Sequence, residues 1–254
     1  MFVACSTRCF GRQSLEEALQ TAAELRFSKF EAAIHEKGNQ LKPSEVAADV
    51  HKAAERLRSG PGLMPVAFHV EIDADNEADY HRQFKAICRL ARISAVPVIT
   101  VTPSGLEVPL ESEVKRLNKL VYLGESDGLS VCVATLSGTH TQTPEQAVEL
   151  CEKVPGLGLT LDPSHYTAGP HATKNYDAVY PYVRHVALRD TGRGPNQFQV
   201  RVGQGEVEYG RIIQQLGRHG YKHSLSVEMF DQPPPPFPIA PEVRKLKYLL
   251  ESLL

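Results

Sequence analysis

The sequence predicts an α/β fold, a single-domain (β/α)8 barrel spanning residues 1–254. Three observations predict it. Short β-type runs alternate with helical runs eight times, about one unit per 30 residues. The length is usual for one such barrel. No Gly-rich phosphate loop of the GxGxxG or GxxxxGK(S/T) type follows the first strand, as the rival doubly wound sheet would need in order to bind a nucleotide.

The elements follow in order. FVACS (2–6) is the first strand. Ser14 then opens SLEEALQTAAELR, with Glu17 three residues on, which makes a capping box. KFEAAI (29–34) is the second strand. Pro43 opens a helix expected to run through Arg58 and to stop at Gly60. PVAFHVEI (65–72) is the third strand, followed by a helix over 76–93. PVITVT (97–102) is the fourth, followed by a helix over 110–124. LSVCVAT (129–135) is the fifth, after which Thr143 caps TPEQAVELCEKV with Pro144 at its first position. LGLTLD (157–162) is the sixth. A short helix over 175–182 leads to VRHVALRD (183–190), the seventh. VEYGRIIQQLGRHG is helical until Gly217 or Gly220. SLSVEMF (224–230) is the eighth strand, and the last helix covers 241–253. The run Pro233 to Pro236 reads as a stiff loop, with a lid or an oligomer contact as the functional alternative.

Side chains alternate across a strand, so the apolar set of each strand must face the helices and the other set the barrel axis. That parity turns Glu31, His69, Glu71, Thr160, Asp162, His185, Ala187, Arg189, Ser226 and Glu228 inward. Buried carboxylates are costly unless paired, hydrogen-bonded or bound to a cation. Several of these groups lie near the C-terminal ends of strands, where barrel enzymes keep their chemistry.

Composition narrows the function classes. The chain is 42% hydrophobic and 23% charged, with net charge -2. It carries no basic stripe of the kind that tracks phosphates, so no nucleic-acid partner is expected. Five cysteines without a CxxC pair read as reduced, buried thiols. No apolar run approaches a membrane span, and the N-terminus lacks a charged segment before a long apolar one. The expectation is a cytoplasmic protein with no membrane partner.

The most specific local feature is DPSHY (162–166). A strand-ending Asp with a His three residues on brings a hard oxygen and an imidazole together, a donor set that suits a divalent metal. With the TPE helix start, VRHVALRDTGRG, GQGEVEYGRIIQQL and LSVE in this order, the chain resembles the xylose-isomerase-like TIM barrel superfamily. That group includes sugar and sugar-phosphate isomerases and epimerases and endonuclease IV proteins. The resemblance implies a metal held by Asp162 and Glu228, with Mn, Mg, Co or Zn as the ion. It also implies Glu228 as a catalytic base, His165 as a catalytic acid or orienting group, and Arg193 as a substrate contact. Glu31 matches a Glu that commonly ends strand two, and His69 and His185 are inward-facing candidates for substrate binding.

Two positions depart from the family pattern. A strand-five Glu falls on Ala134, and a strand-seven His falls on Ala187. Alanine neither binds metal nor moves protons, so the ion is expected to bind weakly or not at all. The expected function is a sugar or sugar-phosphate isomerase or epimerase working by proton transfer beside a carbonyl. A non-catalytic, sugar-binding barrel with a degenerate metal site is the alternative. A nuclease of the endonuclease IV type would need more His and acidic ligands. The expected ligand is a small carbohydrate, and related barrels often pair, so a homodimer is an option that the sequence leaves open. The GQGEVEYG segment (203–210) reads as a turn and helix start at least as readily as a ligand contact.

Overall fold

The computed structural model describes residues 1–173, 175–231 and 237–254. Eight parallel strands close into a barrel in sequence order, β8 pairing back onto β1. They are β1 (Phe2–Ser6), β2 (Lys29–His35), β3 (Met64–Glu71), β4 (Val98–Val101), β5 (Ser130–Ala134), β6 (Gly158–Leu161), β7 (Val183–Leu188) and β8 (Ser224–Val227). Closure leaves no sheet edge and no point where strand order reverses, which rules out the doubly wound rival.

The helices are α1 (Leu15–Glu24), α2 (Pro43–Ala48), α3 (Val50–Leu57), α4 (Glu77–Ile93), α5 (Leu110–Glu125), α6 (Pro144–Lys153), α7 (Ser164–Thr167), α8 (Tyr209–Arg218) and α9 (Ile239–Ser252). Each long helix turns one apolar stripe to the sheet. In α4 that stripe is Phe84, Ile87, Leu90 and Ala91, all fully buried. Burying a side chain the size of Phe or Leu stabilises by about 1.5–3 kcal/mol. The helix stripes share one buried core with the outward set of the strands, including Phe30, Ala32, Phe68, Val70, Ile99 and Leu159. Ala67, Val98 and Cys132 form a separate small cluster. They stand on the opposite strand parity, facing the axis, so the parity argument holds.

The local differences have physical causes. The helix expected from Pro43 to Arg58 breaks at Asp49, whose φ/ψ of -151/95 is extended. Its side chain accepts from Lys52 N at 2.9 Å and starts a second helix. The segment at 175–182 is a 3-10 helix over Asp177–Tyr182, with Pro181 inside it. β8 stops at Val227, so Glu228 lies just past the strand, tied by its N–H to Leu188 O at 2.9 Å. β7 stops at Leu188 because Asp190 turns to accept from Thr191 N, Gly203 N and Gly205 N. The sequence also gave no hint of a 3-10 turn over Thr7–Phe10 or of α7. The Pro233–Pro236 run lies outside the described residues.

Candidate functional site

The candidate site is a small cavity of about 70 Å³ at the C-terminal mouth. Its wall includes Arg8, His69, Glu71, Asp162, His165 and Glu228, with Ala134, Ala187 and Phe230. Strand ends place these groups. Asp162 follows β6, and its Oδ1 accepts from Ser164 N at 3.0 Å, which folds the chain into α7 and brings His165 back over the mouth. Thr135 at the end of β5 pins the same turn, its Oγ1 accepting from Asp162 N at 2.8 Å.

Two arginines organise the electrostatics. Arg189 is wholly buried, and its Nη2 bonds Asp162 Oδ2 and Ser164 Oγ. Its Nη1 lies 3.6 Å from Glu228 Oε1 and has no hydrogen-bond partner among the described residues. Arg8, from the turn after β1, donates to Glu228 Oε1 at 3.0 Å and lies 3.9 Å from Glu71. Both guanidinium carbons stand over the Phe230 ring, at 4.9 Å for Arg8 and 4.2 Å for Arg189. Ser6 Oγ donates to the other Glu228 oxygen at 3.2 Å.

The charges shift one another. Burial alone would raise the Asp162 carboxyl, but Arg189 outweighs it and holds the pKa below the usual range. Burial raises Glu228, with Glu31 adding to the effect and the two arginines opposing it. His165 is pushed down to about 4 by burial, with Arg189 and Arg8 adding and Asp162 opposing. His35 is pushed down to about 3 by burial and then Arg8, and His69 falls well below 6.5 for the same two causes. All three imidazoles are therefore neutral near pH 7.

The structure gathers Asp162, His165, Glu228 and His69 around one cavity. Glu31 and His185 lie elsewhere, wholly buried, with His185 Nε2 3.2 Å from Glu31 Oε1. Neither lines the cavity. Arg193, expected beside them, is 74% exposed at its side chain and bonds Glu206 Oε2 at 2.6 Å. It belongs to a tight loop in which Gly194 N donates to Gln197 Oε1, and it points to solvent. Arg8 and Phe230 were missed. The signal for Arg8 was a cation directly past the end of β1, where a barrel keeps its chemistry.

The two-carboxylate metal set does not fit a divalent ion here. Asp162 and Glu228 already hold guanidinium partners, and Ala134 and Ala187 offer no donor. A different group, His35, His69 and Glu71, has ligand-type atoms all within 4.8 Å of one another.

A family model described as xylose isomerase-like TIM barrel matches residues 19–249. The chain belongs to that family. Among solved structures, this xylose isomerase-like barrel is similar to a xylose isomerase-like TIM barrel protein from Mycobacterium smegmatis in complex with magnesium. The identity is 16% and the TM-score 0.77, covering 99% of this chain and 96% of that one. It is similar to a D-allulose 3-epimerase from Methylomonas sp. in complex with D-allulose, at 12% identity and TM-score 0.76, over 100% and 97%. It is also similar to a probable 3-DHS dehydratase from Bacillus anthracis, at 18% identity and TM-score 0.74, over 99% of each chain. At these identities the likeness is one of fold. No curated protein sequence matches the chain significantly. No helix among the described residues is long and apolar enough to cross a membrane.

Proposed function

We propose that this barrel is a carbohydrate isomerase or epimerase in which the Arg189 guanidinium supplies the electrophile. One observation carries the reading. Arg189 Nη2 is fixed on Asp162 and Ser164, while its buried Nη1 has no hydrogen-bond partner among the described residues and faces Glu228 at 3.6 Å. A buried donor without an acceptor costs about 1–3 kcal/mol. Arg189 does not itself line the cavity, so a ligand carbonyl reaches Nη1 only once Phe230, which covers the guanidinium, has moved. Accepting from Nη1 then removes that cost and sets the adjacent C–H beside Glu228.

Glu228 then takes the proton from that carbon. The C–H electron pair moves into the carbon–carbon bond, and the carbonyl electrons move to oxygen, giving an enediolate held by the guanidinium. Return of the proton by Glu228 to the neighbouring carbon on the same face, with the hydroxyl proton of the first carbon passing to the enediolate oxygen, gives an isomer. An epimer takes its proton on the opposite face from water, and Glu228 releases the abstracted proton to solvent. The raised Glu228 pKa suits a group that both accepts and gives back a proton. Neutral His165 is placed to hydrogen-bond a ligand hydroxyl. The solved D-allulose complex of a structural neighbour supports the ligand class. Entry requires Arg8 and Phe230 to shift, since both line this cavity and a second one of about 150 Å³ that includes His35, Asn39 and Asp231.

A second reading, a non-catalytic carbohydrate binder, is favoured by Ala134 and Ala187 in the wall and by the small cavity. Ketoses and their phosphates incubated with the protein in D2O separate the two. The enzyme reading expects deuterium at the carbon beside the carbonyl of at least one of them, slowed about 10²–10⁴-fold in Glu228→Gln. Ligand-induced shifts in the protein's NMR spectrum without exchange would favour the binder.

A further inference from the structure

A second cluster stands at the rim, sharing His69 and Glu71 with the wall of the Asp162–Glu228 cavity and adding His35 from β2. The β2–β3 register sets His35 beside Glu71 and Ala33 beside His69, so the three side chains share one end of the sheet. His35 Nε2 lies 2.8 Å from His69 Nδ1, and His35 Nδ1 lies 3.6 Å from Glu71 Oε2. Among the described residues this is the one group of three or more His, Cys, Asp or Glu side chains with ligand spacing. We propose that His35, His69 and Glu71 form a site for a divalent cation of the zinc type, and that Arg8 holds it closed.

The chemistry fits. Two imidazoles and one carboxylate, with solvent at the fourth position, are a recurring zinc set. Ligand atoms about 2.0–2.2 Å from a tetrahedral ion stand roughly 3.3–3.5 Å from one another. The His35–His69 pair needs to open slightly and Glu71 to swing in, which its 45% exposed side chain permits. Charge favours a cation as well. Glu71, Asp162 and Glu228 face Arg8 and Arg189, so one negative charge remains with His35, His69 and His165 neutral.

Arg8 explains why the site is closed. A guanidinium has donors only. Arg8 Nη1, 3.2 Å from His69 Nε2, makes that nitrogen an acceptor and puts the ring proton on Nδ1. His69 Nδ1–H then donates to His35 Nε2, leaving the His35 proton on Nδ1 toward Glu71. A cation must take the lone pairs of His69 Nδ1 and His35 Nε2. The His69 proton moves to Nε2, where it opposes an Arg8 N–H, so Arg8 withdraws onto Glu228. No proton is gained or lost. Cation and Arg8 thus compete for one imidazole.

Zinc titration of the full chain against a chromophoric chelator tests this, read together with imidazole 15N NMR. Wild type is expected to take up one zinc per chain weakly. Arg8→Met is expected to bind at least about tenfold tighter, and Glu71→Gln added to Arg8→Met to lose at least that factor. The His69 nitrogen shifts should report the tautomer exchange on loading. Equal affinity in wild type and Arg8→Met would overturn the proposal. So would binding that Glu71→Gln leaves unchanged, or the absence of stoichiometric zinc in the well-folded Arg8→Met protein.

Discussion

Arg189 and Asp162 form an ion pair across the C-terminal ends of β7 and β6, with the guanidinium wholly buried and the carboxylate almost so. Arg189 also faces Glu228 at 3.6 Å, but Asp162 is its hydrogen-bonded carboxylate, so each charge leans chiefly on the other. Breaking such a pair from one side strands a buried charge and costs about 3–5 kcal/mol. Arg189→Met is therefore expected to lower the unfolding free energy by that amount in urea titration. Adding Asp162→Asn should restore a part of it, because the stranded charge is removed. A loss within about 0.5 kcal/mol, the size of a surface substitution, would mean that the pair does not form.

Acid sensitivity should trace in part to His165, which is held at about 4 in the fold against an ordinary 6.5. Below pH 6.5 the unfolded chain takes up a proton there that the folded chain refuses until about pH 4. The contribution to stability is complete above pH 6.5 and is lost as pH falls toward 4, on the order of 3 kcal/mol at most. His35, held at about 3, acts in the same direction. Urea midpoints measured from pH 7.5 to 4 should fall less steeply in His165→Gln than in wild type. Parallel slopes would contradict the depressed value.

Two glycines of the GQGEVEYG segment should respond oppositely. A Cβ on Gly205 would collide with Asp190 Oδ1 and lie 2.7 Å from Thr191 N, in the loop that Asp190 ties together. Gly210, in the first turn of α8, meets nothing within 4 Å. Gly205→Ala is expected to destabilise by more than about 1 kcal/mol, whereas Gly210→Ala should be neutral or stabilise by up to about 1 kcal/mol. Thermal melts of the two variants decide it. Similar Tm values would show that the segment is not held by Asp190.

The barrel was legible because closure leaves each strand one apolar face, and that face repeats every second residue. Parity alone put Asp162, Glu228 and Arg189 on the axis side. The site was legible in position and less so in chemistry. Arg193 was favoured by its match to a family motif, but the tight Gly192–Gly194 loop turns it to solvent, and strand parity was the better guide to Arg189. Arg8 escaped because it stands in a 3-10 turn past β1, where strand alternation gives no direction. His35 was missed because β2 runs one residue beyond its expected end at 34. Register with Glu71, which no single strand reveals, gives it a partner.

In the proposed reaction Arg189, and no ion on Asp162 and Glu228, polarises the ligand. The direct measurement is the rate of solvent-deuterium exchange into a responsive ketose by protein stripped with a chelator, compared with Arg189→Met and with both proteins after added Mn²⁺ or Zn²⁺. Exchange is expected to survive stripping, to be unchanged or slowed by added metal, and to fall about 10²–10³-fold in Arg189→Met. Exchange that vanishes on stripping and returns with metal would contradict the proposed reaction.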